Sequence, residues 1–94
     1  MTEDTRALVE SHKQITKRAL IEYTPLVKDI ISNKVTNQNQ IERTLDGILD
    51  FCFDADMLLL FKELCRYYLY INPAATEFYI NSYRELWDSD SITP

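Results

Sequence analysis

The sequence predicts an all-α fold, a compact antiparallel bundle of four main helices, and three observations lead to this prediction. Apolar residues recur at the helical spacing of three and four residues along four separate segments. The 94-residue chain contains one glycine and three prolines and has no Asn-Gly or Asp-Gly pair, so tight hairpins between strands are not expected. The stretch at residues 57–71 (MLLLFKELCRYYLYI) is apolar over most of a helix circumference, so other helices must cover it on several sides.

The first helix is predicted over about residues 5–22, because its apolar residues recur on one face between charged flanks. Thr24 and Pro25 then interrupt the pattern. A proline that follows a threonine cap starts a helix well, whereas a proline inside a helix removes a hydrogen bond and costs about 3 kcal/mol. Residues 25–32 are therefore predicted to form a short or kinked extra segment, either a new helix or a bent continuation of the first.

The second helix is predicted over about residues 38–53, with Asn37 as its N-cap and Gln40 at the third position of a capping-box arrangement. Five apolar residues of this helix share one face: Ile41, Leu45, Ile48, Leu49 and Cys52. Gly47 lies away from that face and is expected to cost the helix about 1 kcal/mol relative to alanine.

The third helix, predicted over about residues 55–71, is the central helix of the bundle. Asp54 is its expected N-cap, because an aspartate carboxylate accepts hydrogen bonds from the free amides of a first turn. Asn72 is expected to cap the last helix, which is predicted over about residues 73–87 and opens with a proline. The short connections favour antiparallel neighbours.

Length and composition indicate a single helical domain over residues 1–94, with residues 1–4 and 88–94 frayed or disordered. The formal net charge of −5 is unevenly distributed. Residues 1–36 carry six Lys/Arg and five Asp/Glu, a net of +1, and residues 37–94 carry four and ten, a net of −6. An acidic segment disfavours phosphate backbones, and it suits a basic protein partner or simply solubility.

Cys52 and Cys65 lack CxxC spacing and lie among apolar neighbours, so two reduced, buried thiols are expected rather than a disulfide. The N-terminus is charged and lacks the apolar segment of a secretory signal. No stretch is both long enough and apolar enough to span a membrane, which needs about 20 residues. These observations predict a cytoplasmic protein that does not contact a membrane.

Patterns that indicate catalysis or metal binding are missing from the sequence. His12 is the only histidine, and zinc needs three or four ligands at recognisable spacing. Asp54 and Asp56 match only two positions of a calcium-binding loop. A Cys-His nucleophilic pair remains an alternative, because its partners can meet only in the fold. We expect no catalytic residue, no metal, no cofactor and no small-molecule ligand.

A stripe of carboxylates is the first candidate for partner binding. Glu42, Asp46 and Asp50 are spaced four residues apart on the second helix, so they share one side of it. Like charges at this spacing destabilise a helix by about 0.2–0.5 kcal/mol per pair, which suggests a purpose such as docking a basic partner. The alternative is a solvated helix face.

Tyrosines are the second candidate. The chain has six tyrosines, and the three on the central helix lie on different sides of it, so at least one ring is expected at the surface. Exposed aromatic side chains are enriched at interfaces, and the predicted aromatic surface lies around Tyr70, Tyr79 and Tyr83. The alternative is core packing with the hydroxyl groups at the rim.

The lead interpretation is a small acidic, non-enzymatic protein that binds another protein, as an adaptor, inhibitor or immunity protein does, or associates with itself as a homodimer. The alternative is a nucleic-acid-associated regulator that uses a weak basic strip on the first helix: Lys13, Lys17, Arg18 and Lys28. Acidic residues such as Glu22 interrupt the strip, and nucleic acid binding needs clustered cations, so this function is disfavoured. A small enzyme is third, because no residue set assembles a nucleophile, a base and an oxyanion site.

Overall fold

The computed structural model describes the backbone of residues 2–87 and the side chains of residues 14–87, and this part of the chain forms four α-helices and no strand. The helices are α1 (Thr2–Ser32), α2 (Gln38–Leu49), α3 (Ala55–Tyr68) and α4 (Pro73–Trp87). They pack into a helical bundle, which confirms the predicted fold class. The sequence predicts frayed residues 1–4 and a first helix from about residue 5, but α1 already begins at Thr2. Met1 and residues 88–94, the rest of the predicted frayed ends, lie outside the described residues.

Helix α3 is the centre of the bundle, as predicted, because it contacts each of the other three helices. Met57, Leu64 and Tyr68 have no exposed surface, and Leu60 and Phe61 have almost none. Helices α1 and α2 also pack against each other, whereas α4 packs chiefly on α3. Since burial of apolar surface contributes about 25 cal/mol per Å², the inward side of α3 supplies much of the stability of the fold.

Helix α1 runs through Pro25 to Ser32, so residues 25–32 continue the first helix, which is one of the two predicted alternatives, and they do not form a separate helix. Pro25 is exposed, and Ile21, whose carbonyl loses its usual amide donor, is exposed one turn earlier. A carbonyl on the solvent side of a helix can bond to water instead. Ala19 and Val27 belong to the same core on either side of the proline. Packing of both halves therefore outweighs a local cost of about 3 kcal/mol.

Helix α1 ends in a Schellman motif. The amide of Val35 donates to the carbonyl oxygen of Ile30 at 3.0 Å, and the amide of Lys34 donates to that of Ile31 at 3.3 Å. Lys34 has a φ of 52°, in the left-handed region that glycine usually occupies at this position. A lysine there carries a steric cost of roughly 1–2 kcal/mol.

The three predicted N-caps are confirmed. The Asp54 carboxylate accepts hydrogen bonds from two first-turn amides of α3, both at 3.1 Å. Asn37 Oδ1 accepts from the amide three residues later at 3.1 Å, and Asn72 Oδ1 does the same for α4 at 3.0 Å. These bonds satisfy amides that a helix start leaves free.

Helices α2 and α3 end at Leu49 and Tyr68, earlier than the predicted ends at residues 53 and 71. Just after each of these helices, backbone amides donate to the carbonyl oxygen three residues earlier instead of four residues earlier, which forms a tight turn. Examples are Phe51 to Ile48 and Ile71 to Tyr68, both at 2.9 Å. The turns lead the chain directly to the caps of α3 and α4.

The bundle is flat, with extents of 49 × 37 × 17 Å. Helix axes pack 8–10 Å apart, so the shortest extent corresponds to about two helix layers. Two layers cannot enclose every apolar side chain, and Leu59, Tyr70 and Phe78 are among the large side chains that stay exposed. Within the part of the chain that is described, no helix is long and apolar enough to cross a bilayer.

Candidate functional site

Two of the three carboxylates in the predicted stripe contact tyrosines of the same chain. The buried hydroxyl of Tyr68 donates to Glu42 Oε2 and also to Gln38 Oε1, the latter at 3.2 Å. Asn72 Nδ2 donates to the same Gln38 oxygen at 2.8 Å. Burial, followed by the hydrogen bond and the charge of Glu42, raises the pKa of Tyr68 to about 12. This network joins α2 to α3 and to the cap of α4.

Tyr79 makes the second of these contacts, and the prediction that it is exposed is wrong, because 4% of its surface is accessible. Its hydroxyl donates to the backbone carbonyl oxygen of Glu42 at 3.4 Å. Burial, followed by the hydrogen bond and charge of the Asp46 carboxylate, raises the pKa of Tyr79. Tyr79 therefore ties α4 to α2, and Glu42 and Asp46 lie beside the polar ends of two core tyrosines.

The other predicted residues lie at separate places on the surface. Asp50 is exposed at the end of α2. Tyr70 is 87% exposed just after α3. Tyr83 is half-buried, with its ring stacked on Phe61 at a centroid distance of 5.8 Å. The six residues predicted to bind a partner are thus not gathered into one site.

A groove between α3 and α4 has the dimensions of a binding site. Its volume is about 490 Å³, within the range of ligand pockets. The two helices and the C-cap of α3 contribute apolar side chains to it: Leu58, Phe61, Cys65, Leu69, Ile80 and Tyr83. Leu69 is 48% exposed and Ile80 is 36% exposed, so part of this apolar surface is open to solvent.

Three cations surround this apolar surface: Lys62 and Arg66 of α3 and Arg84 of α4. All three are exposed, and no aspartate or glutamate lines the groove. The one ion pair among the described residues joins Lys28 to Glu63 at 2.9 Å, outside the groove. We call this feature the basic groove. Its cations are available to an anionic partner because none of them forms an ion pair with a carboxylate of the described chain.

The exposed surface continues from the basic groove along α3. Leu59, Lys62 and Arg66 follow one another at spacings of three and four residues, so they share one side of α3, and Tyr70 follows in the turn after the helix. Leu59 and Tyr70 are exposed apolar residues at the two ends of this row. Since the aliphatic parts of lysine and arginine also cover apolar surface, the row is amphipathic along α3, over about 10 Å from Leu59 to Arg66 at 1.5 Å per residue.

Sequence reasoning misses Lys62, Arg66 and Arg84 as binding residues. A signal exists for the first two, because they stand one turn apart on an otherwise apolar helix. Arg84 belongs to another helix, and only the packing of α4 beside α3 brings it to the same groove. The net charge of −6 over residues 37–94 gives no sign of this local cationic cluster.

Cys52 and Cys65 are free and buried, as predicted. Burial, followed by the neighbouring Cys65 and Asp50, raises the pKa of Cys52 to about 12, and burial raises that of Cys65 to about 12. Both thiols therefore resist forming the nucleophilic thiolate. The side chain of His12, the other member of the predicted Cys-His alternative, lies outside the described residues. Among the described side chains, no three His, Cys, Asp or Glu converge as metal ligands.

One cation of the basic strip predicted on the first helix forms an ion pair within the chain. Lys28 pairs with Glu63, and the side chain of Lys13 lies outside the described residues. Arg18 lines a second cavity of about 410 Å³ beside α1, together with Glu22. Because this cavity is lined by both a cation and a carboxylate, it selects the charge of a partner less strongly than the basic groove does.

Comparisons of this chain with models of protein families, with curated proteins and with solved structures give no match. A function for the chain therefore rests on the geometry and the charge of its own surfaces.

Proposed function

We propose that this protein is a helical binding module, of the adaptor or inhibitor type, that docks an amphipathic helix bearing carboxylates in the basic groove. One observation carries the proposal. Lys62, Arg66 and Arg84 surround an exposed apolar surface that no carboxylate lines. A partner that covers this surface must bring both apolar side chains and negative charge.

The form of the groove supports a helical partner. Two neighbouring helices leave a channel between them, and a third helix can pack along it at an axis distance of about 8–10 Å. Helices that dock in this way place anchors at positions i, i+3, i+4 and i+7. From Leu58 to Leu69 the groove is about 16 Å long, which accommodates roughly three helical turns.

The apolar surface and the cations have different roles in this proposal. An exposed ion pair contributes only about 0–1 kcal/mol, so three cations by themselves give weak binding. Burial of Leu69 and Ile80 supplies affinity at about 25 cal/mol per Å². The cations select an acidic partner over a basic one and speed its association.

Two of the three tyrosines in the predicted aromatic surface also belong to the proposed binding surface. Tyr83 lines the basic groove and Tyr70 lies at the end of the exposed row on α3. Aromatic side chains in such positions are common anchors at interfaces. The acidic stripe suggests a basic partner, whereas the basic groove suggests an acidic one. We favour the basic groove because Glu42 and Asp46 of the stripe contact core tyrosines of the same chain.

A labelled synthetic helix can test this function. The peptide carries leucine at the first and fourth positions of each heptad, one glutamate per heptad and alanine elsewhere, and a matched peptide carries lysine in place of glutamate. Fluorescence anisotropy is expected to show that wild-type protein binds the glutamate peptide and that the double variant Lys62→Glu/Arg66→Glu binds it at least about tenfold more weakly. The lysine peptide is expected to show the opposite preference.

Arg43→Glu is the matched control, because Arg43 is exposed on α2 and lies outside the basic groove. It makes the same change of charge as each groove substitution and is expected to leave the affinity unchanged. Equal affinity of wild type and the double variant for the glutamate peptide would overturn the proposal. So would equal binding of the two peptides to wild type.

A further inference from the structure

We infer that the acidic helix that the basic groove accepts is α4 of a second copy of this chain, so that the protein is a two-fold symmetric dimer. The inference rests on the proposed function, since it names the partner of the same groove. It requires that α4 itself have the amphipathic, acidic character that the groove selects.

The outward side of α4 has that character. Glu77 and Glu85 are exposed, stand eight residues apart on one side of the helix, and take no part in the ion pair found among the described residues. Phe78, beside them, is 64% exposed. Two carboxylates about 12 Å apart with an apolar ring beside them fit a groove about 16 Å long with cations along it.

Symmetry allows both copies to satisfy this contact at once. The outward side of α4 borders on the basic groove, because Arg84 lines the groove and Glu77, seven residues or about two turns earlier, lies on the same side of the helix. A two-fold axis beside Ile80 and Asn81 therefore lays the two α4 helices antiparallel, each against the groove of the other copy. Such an interface is isologous and closes at two copies, without further growth.

The register of this pair follows from the charges. In an antiparallel pair with an axis between residues 80 and 81, position 77 of one copy faces position 84 of the other. Glu77 of each copy then meets Arg84 of the other, which gives two equivalent ion pairs. Ile80, 36% exposed, lies next to the axis, where its burial adds apolar contact.

Charge exchange between two variants provides the test. Arg84→Glu and Glu77→Arg each turn both ion pairs into like-charge contacts, so each variant is expected to dimerise at least about tenfold more weakly than wild type in sedimentation equilibrium. An equimolar mixture of the two variants restores opposite charges at both contacts. The mixture is therefore expected to form a heterodimer with an affinity close to that of the wild-type dimer.

Both positions are exposed on α4, so the variants are expected to fold, and circular dichroism and thermal unfolding check this directly. The Arg43→Glu variant is expected to dimerise as wild type does. A wild-type chain that remains monomeric at a concentration on the order of 100 μM would overturn the inference. A dimer that persists in Arg84→Glu would overturn it as well. A monomer that still binds the glutamate peptide would overturn the dimer alone and leave the proposed function standing.

Discussion

The ring of Tyr23 in α1 lies against Gly47 in α2, the only glycine of the chain. A Cβ atom at position 47 would lie 2.6 Å from Cζ and 2.9 Å from Cε1 of this ring, distances that real Cβ atoms essentially never show. A glycine that weakens α2 as a helix therefore allows α1 to pack closely on it. The sequence predicts that Gly47 lowers the helix propensity of α2, and the structure shows that the close contact with Tyr23 leaves no room for a Cβ atom there.

Gly47→Ala is expected to lower the free energy of unfolding by about 1 kcal/mol. Alanine favours a helix interior by about 1 kcal/mol, but the end of the Tyr23 ring must move aside, at a cost of about 2 kcal/mol in the middle of the range typical of overpacking. In a Tyr23→Ala background the ring is gone, and the same substitution is expected to stabilise the fold by about 1 kcal/mol. Urea denaturation measures both effects, and stabilisation by Gly47→Ala in both backgrounds would contradict the contact.

Trp87 provides the signal for such measurements. It is the only tryptophan of the chain, and its indole Nε1 donates to the carbonyl oxygen of Leu49 at 2.8 Å. Its fluorescence therefore reports the docking of the end of α4 on the end of α2.

Lys34→Gly is expected to raise the free energy of unfolding by about 0.5–1 kcal/mol, because glycine adopts the left-handed conformation of this position without the steric cost that lysine pays. Part of the gain is lost to the greater freedom of glycine in the unfolded chain. Lys17→Gly, an exposed substitution inside α1, is the matched control and is expected to destabilise the fold by about 1 kcal/mol. Thermal and urea unfolding compare the two, and a loss of stability in Lys34→Gly would refute this reading of the α1 terminus.

Tyr68→Phe is expected to destabilise the fold by about 1–3 kcal/mol at neutral pH. The substitution keeps the ring in the core but removes the hydroxyl that donates to Glu42 and Gln38, which leaves their oxygens without this donor. Tyr70→Phe makes the same chemical change at an exposed position and is expected to stay within about 0.5 kcal/mol of wild type. Equal urea midpoints for the two variants would show that the Tyr68 network contributes nothing measurable.

The contribution of Tyr68 to stability is expected to fall as the pH rises above about 10, because its pKa is raised from the ordinary value of 10.0 to about 12 in the folded chain. The folded state holds this proton more tightly than the unfolded state does. The resulting stabilisation is fully present below pH 10 and is lost as the pH approaches 12. Urea unfolding between pH 8 and pH 12 is expected to show a shallower decline for Tyr68→Phe than for wild type, and identical declines would count against this assignment.

The two thiols are expected to react slowly with a disulfide reagent at neutral pH while the chain is folded. Burial raises the pKa of Cys52 and of Cys65 to about 12, so the thiolate is scarce in both cases. Absorbance of the released thiol, followed with and without urea, is expected to show both cysteines reacting quickly only after unfolding. A fast-reacting cysteine in the native state would restore a Cys-His nucleophilic pair as an alternative.

The fold class and the helix starts follow from local chemistry. Asn37, Asp54 and Asn72 identify the starts of three helices because a cap acts on amides two or three residues away. The central place of α3 also follows from the sequence, since a helix that is apolar on most sides needs neighbours on most sides. Local patterns of this kind do not depend on which helix packs where.

The candidate site depends on contacts that are far apart in the sequence. Tyr79 and Tyr83 lie one turn apart on α4, yet one is buried against α2 and the other lines the basic groove. Their periodicity is the same, and only the position of α4 relative to its neighbours separates their roles.

The sequence by itself determined an all-α bundle, its four helical segments, the central helix, the caps and two buried thiols, because periodicity and capping act over a few residues. The tertiary structure alone decided that α1 continues through Pro25, that Glu42 and Asp46 face tyrosines, and that Arg84 joins Lys62 and Arg66 at one groove. The physical reason is packing: it selects among local conformations of similar free energy and sets which charges become neighbours.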